Sequence, residues 1–61
     1  MWHRIEKIHE VPGDRDLRLA VIDPKGIVHA LVFACRREGH LWKDAETGHL
    51  VNIFPTHWQD W

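Results

Sequence analysis

The stretch Ile27-Val28-His29-Ala30-Leu31-Val32-Phe33-Ala34 constrains this chain more than any other. It is the longest apolar run, it is rich in β-branched residues, and it holds neither glycine nor proline. A short run of that kind predicts a strand buried on both faces. Such a strand needs a neighbour on each edge and cover on each side, and the rest of the chain has to supply them.

Size limits what the rest can do. At 61 residues there is one domain, spanning residues 1–61, and no room for a second. A domain this small buries only ~60% of its unfolded surface, so its stability margin is thin. Disulfides cannot widen it, because Cys35 is the only cysteine. A single free thiol, without an apolar leader at the N-terminus, points to a reducing cytoplasm. No apolar run approaches the roughly 18 residues that span a bilayer. Trp2, Trp42, Trp58 and Trp61 are many indoles for this length, and they read first as compensation for a small core. Net charge is −1 with histidines neutral, and the signs are mixed along the chain. That is no footprint for nucleic acid or an anionic membrane.

Residues Trp2 to Val11 suit either a short helical face or a bulged edge strand. Strand is preferred, since no good N-cap precedes them. Pro12-Gly13-Asp14 is a turn. Leu17, Leu19 and Val21 alternate with Arg18, Ala20 and Ile22, which predicts a strand. Asp23-Pro24-Lys25-Gly26 then predicts a hairpin loop closed by a left-handed glycine. This sets Val21 opposite His29, Leu19 opposite Leu31 and Leu17 opposite Phe33. A second glycine-terminated loop at Arg36-Arg37-Glu38-Gly39 sets Cys35 opposite Leu41 and Ala34 opposite Trp42. A third, Glu46-Thr47-Gly48, sets Lys43 opposite Val51 and Leu41 opposite Ile53.

These registers agree on sides. One face collects Leu17, Leu19, Val21, Leu31, Phe33, Cys35, Leu41, Val51 and Ile53. The other collects Ala20, Ile22, Val28, Ala30, Val32, Ala34, Trp42, Leu50 and Phe54. The predicted fold is therefore all-β: an antiparallel meander of four strands, with the N-terminal segment as a fifth, curled into an SH3-like half-open barrel. In the tail, Thr56 and Gln59 stand at capping-box spacing, so a short helical turn is expected to close the C-terminus. Its two indoles, Trp58 and Trp61, would fold back over the sheet beside Trp2. Two apolar faces are more than so short a chain can cover. Either the sheet curls and the termini cap it, or a second copy covers one face.

Chemistry has few places to reside. Cys35, His40, His49 and His57 form a conceivable zinc set, but their spacing matches no metal motif, and Cys35 reads as a small buried hydrophobe. His29 sits among apolar neighbours and reads as a core histidine. There is no serine. A nucleophilic Cys35 beside Arg36 and Arg37 would lack a pocket to exclude water. All four glycines read as turn residues, which leaves no phosphate loop. No catalytic residue, metal or cofactor is assigned.

The D-P-K-G and V-H-A-L-V-F-A-C-R-R segments, D-A-E-T-G, and the closing F-P-T-H-W-Q-D-W resemble a group of short bacterial proteins of no assigned function. The shared pattern is H-A-L-x-F-x-C-R-R followed by P-T-H-W, and the likeness runs from Asp23 to Trp61. It implies a whole small protein and transfers no activity.

The expected role is that of a non-catalytic, tryptophan-rich binding module whose partner is a protein or a second copy. Trp58, Trp61, Trp2, Arg36 and Arg37 are its candidate contact residues, because tryptophan and arginine are enriched at binding hot spots. A single-stranded nucleic-acid-binding barrel using Arg36, Arg37, Arg18 and exposed aromatics is the rival reading. A zinc-stapled structural domain is the third.

Overall fold

Strand β2 (Leu17–Ile22) is the central strand of the sheet in a computed structural model that describes residues 1–61. The other strands are β1 (His3–Arg4), β3 (Val28–Ala30), β4 (Cys35–Glu38), β5 (Leu41–Asp44) and β6 (His57–Asp60). The only helical element is a single 3-10 turn at Ile8–Glu10. The fold is thus all-β, with six strands in the order β1-β6-β2-β4-β5 and β3 paired to β2 off that path. Every pairing is antiparallel. Strands β1 and β5 stand at opposite ends of this order, so the sheet is open.

One edge of β2 is taken by β6, which pairs Leu17 with Asp60 and Ala20 with His57. The other edge is shared: β3 takes Ala20 to Ile22, and β4 joins at Leu17 opposite Cys35. Alternation along β2 turns Leu17 and Leu19 to one side, where they are fully buried with Val11, Cys35 and Trp42. Ile5, Ile8, Leu31, Phe33, Val51, Ile53 and Trp58 pack around that nucleus. The folded chain exposes 4451 Å². A 7.2 kDa monomer is expected to expose about 4100 Å².

The apolar run is not the buried centre. It divides into the short exposed strand β3 and a bend at Val32 and Phe33, and it ends just before β4. The first hairpin keeps the expected partners Val21–His29, and Leu31 N–H donates to Leu19 O at 2.9 Å. Leu17, however, meets Cys35 instead of Phe33. The bend has absorbed two residues, which preserves facing and throws Val32 outward to 89% exposure. The Asp23 carboxylate organises the turn by accepting from Lys25 N–H at 2.9 Å and Ile27 N–H at 3.0 Å. Gly26 sits at φ 84° as this loop requires.

The other two registers shift by odd amounts. The second loop is a tight Gly39-His40 turn that pairs Glu38 with Leu41 and Arg37 with Trp42. Trp42 consequently joins Leu17 and Leu19 on the buried side and Leu41 is exposed, so the two residues take the opposite faces to those expected. In the third, Lys43 meets Leu50 instead of Val51. This second slip undoes the first, and Val51 N–H donates to Trp42 O on the core side. Beyond that contact the expected strand over His49 to Phe54 does not continue.

The tail is a strand, not a helical turn. Thr56 Oγ1 accepts from Ile22 N–H at 2.8 Å, a bond across the fold in place of a local cap. A one-turn helix satisfies few of its own backbone groups. As a strand, the same residues pair with β2 on one side and β1 on the other. The N-terminal segment keeps both of its readings in part, as strand at β1 and as a helical turn at Ile8–Glu10.

Candidate interaction surface

The two adjacent arginines of β4 alternate across the strand and do different things. Arg36 is half-exposed and pairs with Asp16 at 2.8 Å. Arg37 folds back, its Nε donating to Val11 O at 2.7 Å and its Nη1 to Gly39 O at 2.8 Å. Val11 is buried, so Arg37 satisfies a carbonyl that water does not reach freely. A Cβ on Gly13 would stand 3.2 Å from Arg37 Nη2 and 3.3 Å from Arg37 O, so a side chain there crowds the same contact. Arg37 thus ties two loops together through its Nε and Nη1.

The tryptophans separate in the same way. Trp58, the β6 residue paired with His3 and Leu19, packs on the core with its ring 4.6 Å from the His3 ring. Trp2 is half-buried beside that strand pair. Trp61 is 51% exposed, carries the Arg18 guanidinium 4.3 Å above its ring, and donates its backbone N–H to Asp16 O at 3.2 Å. Arg15 pairs with Asp60 at 3.2 Å, which leaves Arg18 as the basic group stacked on an open indole. Trp61, Arg36, Arg15 and Arg18 thus gather where β2 begins and β6 ends, while Trp58 lies inside the sheet between His3 of β1 and Leu19 of β2.

The larger exposed apolar side chains lie elsewhere. Leu41, Trp42, Leu50, Val51, Ile53 and Phe54 line an open cleft of 260 Å³ between β5 and the extended segment after it. Phe54 is 88% exposed and Leu50 64%. A phenyl ring held out in water beside a leucine pair adds little to folding and leaves apolar area that a partner can cover. Alternation puts Leu50 and Phe54 on the second face and marks no site there. Alternation says which side a residue takes, and only the chain path after β5 says that these residues gather around a cleft. A second depression of 480 Å³ carries Val32, Phe33, Ala34 and Trp61 with an acidic rim of Asp16, Asp44 and Glu46. Two of those carboxylates are engaged, Asp16 by Arg36 and Asp44 by the backbone of its own turn. No family model, curated protein or solved structure matches this chain.

The candidate nucleophile and metal ligands are dispersed. Cys35 is fully buried; burial first, and the Asp44 carboxylate second, push its thiol up to about 11. At neutral pH it is a protonated hydrophobe whose Sγ lies 3.9 Å from Phe33 O. His40 and His49 are exposed turn residues, and His57 Nδ1 shares a 2.7 Å hydrogen bond with Thr56 Oγ1. No three histidine, cysteine or acidic side chains converge in a metal-holding cluster. His29, expected in the core, lies exposed on β3 with its Nε2 3.6 Å from Asp23 Oδ2. That contact contributes to holding the Asp23 carboxyl below its usual range, after the larger effect of the Ile27 N–H.

Proposed function

We propose that this protein is a non-catalytic protein-binding module that receives an apolar protein segment in the cleft bounded by Leu41, Leu50 and Phe54. The observation that carries this reading is the exposure of Phe54 and Leu50 around a preformed groove with Trp42 in its wall. Aromatic and aliphatic anchors in such grooves dominate peptide recognition. A protonated, buried Cys35 supports a role without covalent chemistry. The open sheet suits the finer description of an SH3-like half-open barrel, a shape in which an aromatic-lined groove takes an extended ligand. We assign the molecule to a reducing compartment on its lone thiol; no helix is long and apolar enough to cross a membrane.

Selection of a random peptide library on the wild type and on Phe54→Asp tests the reading. Peptides with apolar anchors are expected to enrich on the wild type and to be lost on the variant. Enrichment that is indifferent to Phe54, or none at all, removes the cleft as the binding site. A second reading is favoured by the Arg18–Trp61 stack, which is the pairing that a single-stranded nucleic acid uses for base stacking and phosphate contact. The ion pairs of Arg15 and Arg36 weaken it. Salt-sensitive binding of a single-stranded oligonucleotide, lost in Trp61→Ala, would favour it over the cleft.

A further inference from the structure

Strand β3 presents an open sheet edge. It contacts β2 and no other strand. Leu31 N–H donates to Leu19 O at 2.9 Å, and Asp23 N–H donates to Ile27 O at 3.1 Å. Those bonds point Ile27, His29 and Leu31 at β2, and alternation turns the N–H and C=O groups of Val28 and Ala30 outward. Proteins ordinarily blunt such an edge with lysine, proline, an inward charge or a covering loop. From Ile27 to Ala34 there is no charged residue and no proline. Ile27, Val28 and Val32 expose their side chains along the run, and all three β3 residues are exposed. The far end of the sheet, β1, carries Arg4 and is followed by Glu6 and Lys7.

We propose that the partner of this edge is a second copy of the same chain, paired antiparallel with it about a two-fold axis through His29. That register matches the outward groups. Val28 exchanges both main-chain bonds with the second copy's Ala30, and Ala30 does so with its Val28, which gives four bonds in all. His29 meets its own equivalent at the position between the bonded pairs. Ile27 comes to face the second copy's Leu31, which shields two apolar side chains. The chain bends away at Val32 and Phe33, so the ladder ends before the charged turn residues Asp23 and Lys25 and no like charges oppose along it. An uncharged strand is complemented best by another uncharged strand, and each molecule brings one.

The paired stretch of Ile27 to Leu31 is about 17 Å long at the antiparallel rise. It buries less than the roughly 1,200 Å² of a standard interface, which makes the dimer a weak one. It shares with the proposed function the premise that the chain binds protein, but it uses a different surface, so the two can fail separately.

Sedimentation of the full chain from about 10 µM to about 2 mM tests the pairing, a range set by weak association. The wild type is expected to move from monomer to dimer across it. His29→Lys places two ammonium groups opposite one another and is expected to shift the isotherm about tenfold to higher concentration. Ala30→Pro removes an outward N–H that makes no bond within the chain and is expected to do the same. If Ala30→Pro does not fold, His29→Lys decides alone. Phe54→Asp is expected to leave the isotherm unchanged. A monomer throughout overturns the proposal, and so does a dimer indifferent to His29→Lys. A dimer lost only in Phe54→Asp also overturns it, while assigning the second copy to the cleft of the proposed function.

Discussion

Replacing Arg37 by alanine separates a structural arginine from a contact arginine. The side chain holds the carbonyl of buried Val11 at 2.7 Å and the exposed carbonyl of Gly39 at 2.8 Å. A hydrogen bond from a charged donor contributes ~1.5–3 kcal/mol, and the exposed Gly39 bond adds little because water replaces it. The expected loss is therefore about 2 kcal/mol, against the ~3–5 kcal/mol that a core of this size supplies. With a urea dependence of about 1 kcal/mol/M for a small domain, the midpoint falls by about 2 M. Arg36→Ala is the control: it breaks a half-exposed pair with Asp16, for which ~0–1 kcal/mol is expected. Arg37→Lys keeps the charge but loses the planar fork, and it is expected to recover less than half of the loss. Tryptophan fluorescence through a urea titration reads all three. Equal midpoints for Arg36→Ala and Arg37→Ala would refute the tie, as would full recovery by lysine.

Other outcomes follow from the same packing. Cys35, lifted from 9.0 to about 11, carries about a hundredfold less thiolate at pH 8 than an unshifted thiol. Iodoacetamide should therefore label the native chain at least that much more slowly than the urea-unfolded chain. Leu19→Ala removes a fully buried side chain at a cost of ~2–5 kcal/mol, enough to leave much of the chain unfolded at 25 °C by circular dichroism. Phe54→Ala, in contrast, should stay within about 0.5 kcal/mol of wild type. The Asp23 carboxyl is held below its usual range by the Ile27 N–H, so its contribution is present above about pH 4 and disappears as pH falls through the lowered folded value. Asp23→Asn keeps the acceptor without the charge. Thermal melts from pH 7 to pH 2.5 should show the wild type losing its advantage over this variant only at the acid end.

Much of the architecture was legible from alternation and turn chemistry. Alternation puts Leu17, Leu19, Val21, Leu31, Phe33, Cys35, Leu41, Val51 and Ile53 on one face, and all of them but Val21 and Leu41 pack together or against the core. The Asp23–Gly26 loop and its first partners followed from residue types whose φ preferences are strong. What did not follow depends on long-range pairing. Apolar composition marked Ile27 to Ala34 as central, but centrality belongs to whichever strand finds partners on both edges, and β2 finds them in β6 and in β3 with β4. The role of the tail was hidden because Thr56 and Gln59 carry a local helical signal that the Ile22 amide outcompetes. The bond from Arg37 to Val11 O was not legible, because nothing in a sequence announces that a carbonyl near Pro12 needs a donor. The cleft residues Leu41 and Phe54 were obscured by the register of the second loop and by the end of pairing after Val51.

Amide hydrogen exchange on a dilute sample tests the central arrangement most directly, because it reads which strand lies inside. Arg18 and Ala20 of β2, with His57 and Gln59 of β6, should exchange slowest, since their groups face one another between two paired strands. Val28 and Ala30, whose N–H groups face outward, should exchange nearly as fast as unfolded amides. Slowest exchange within Ile27 to Ala34, with free exchange from His57 to Asp60, would contradict the account.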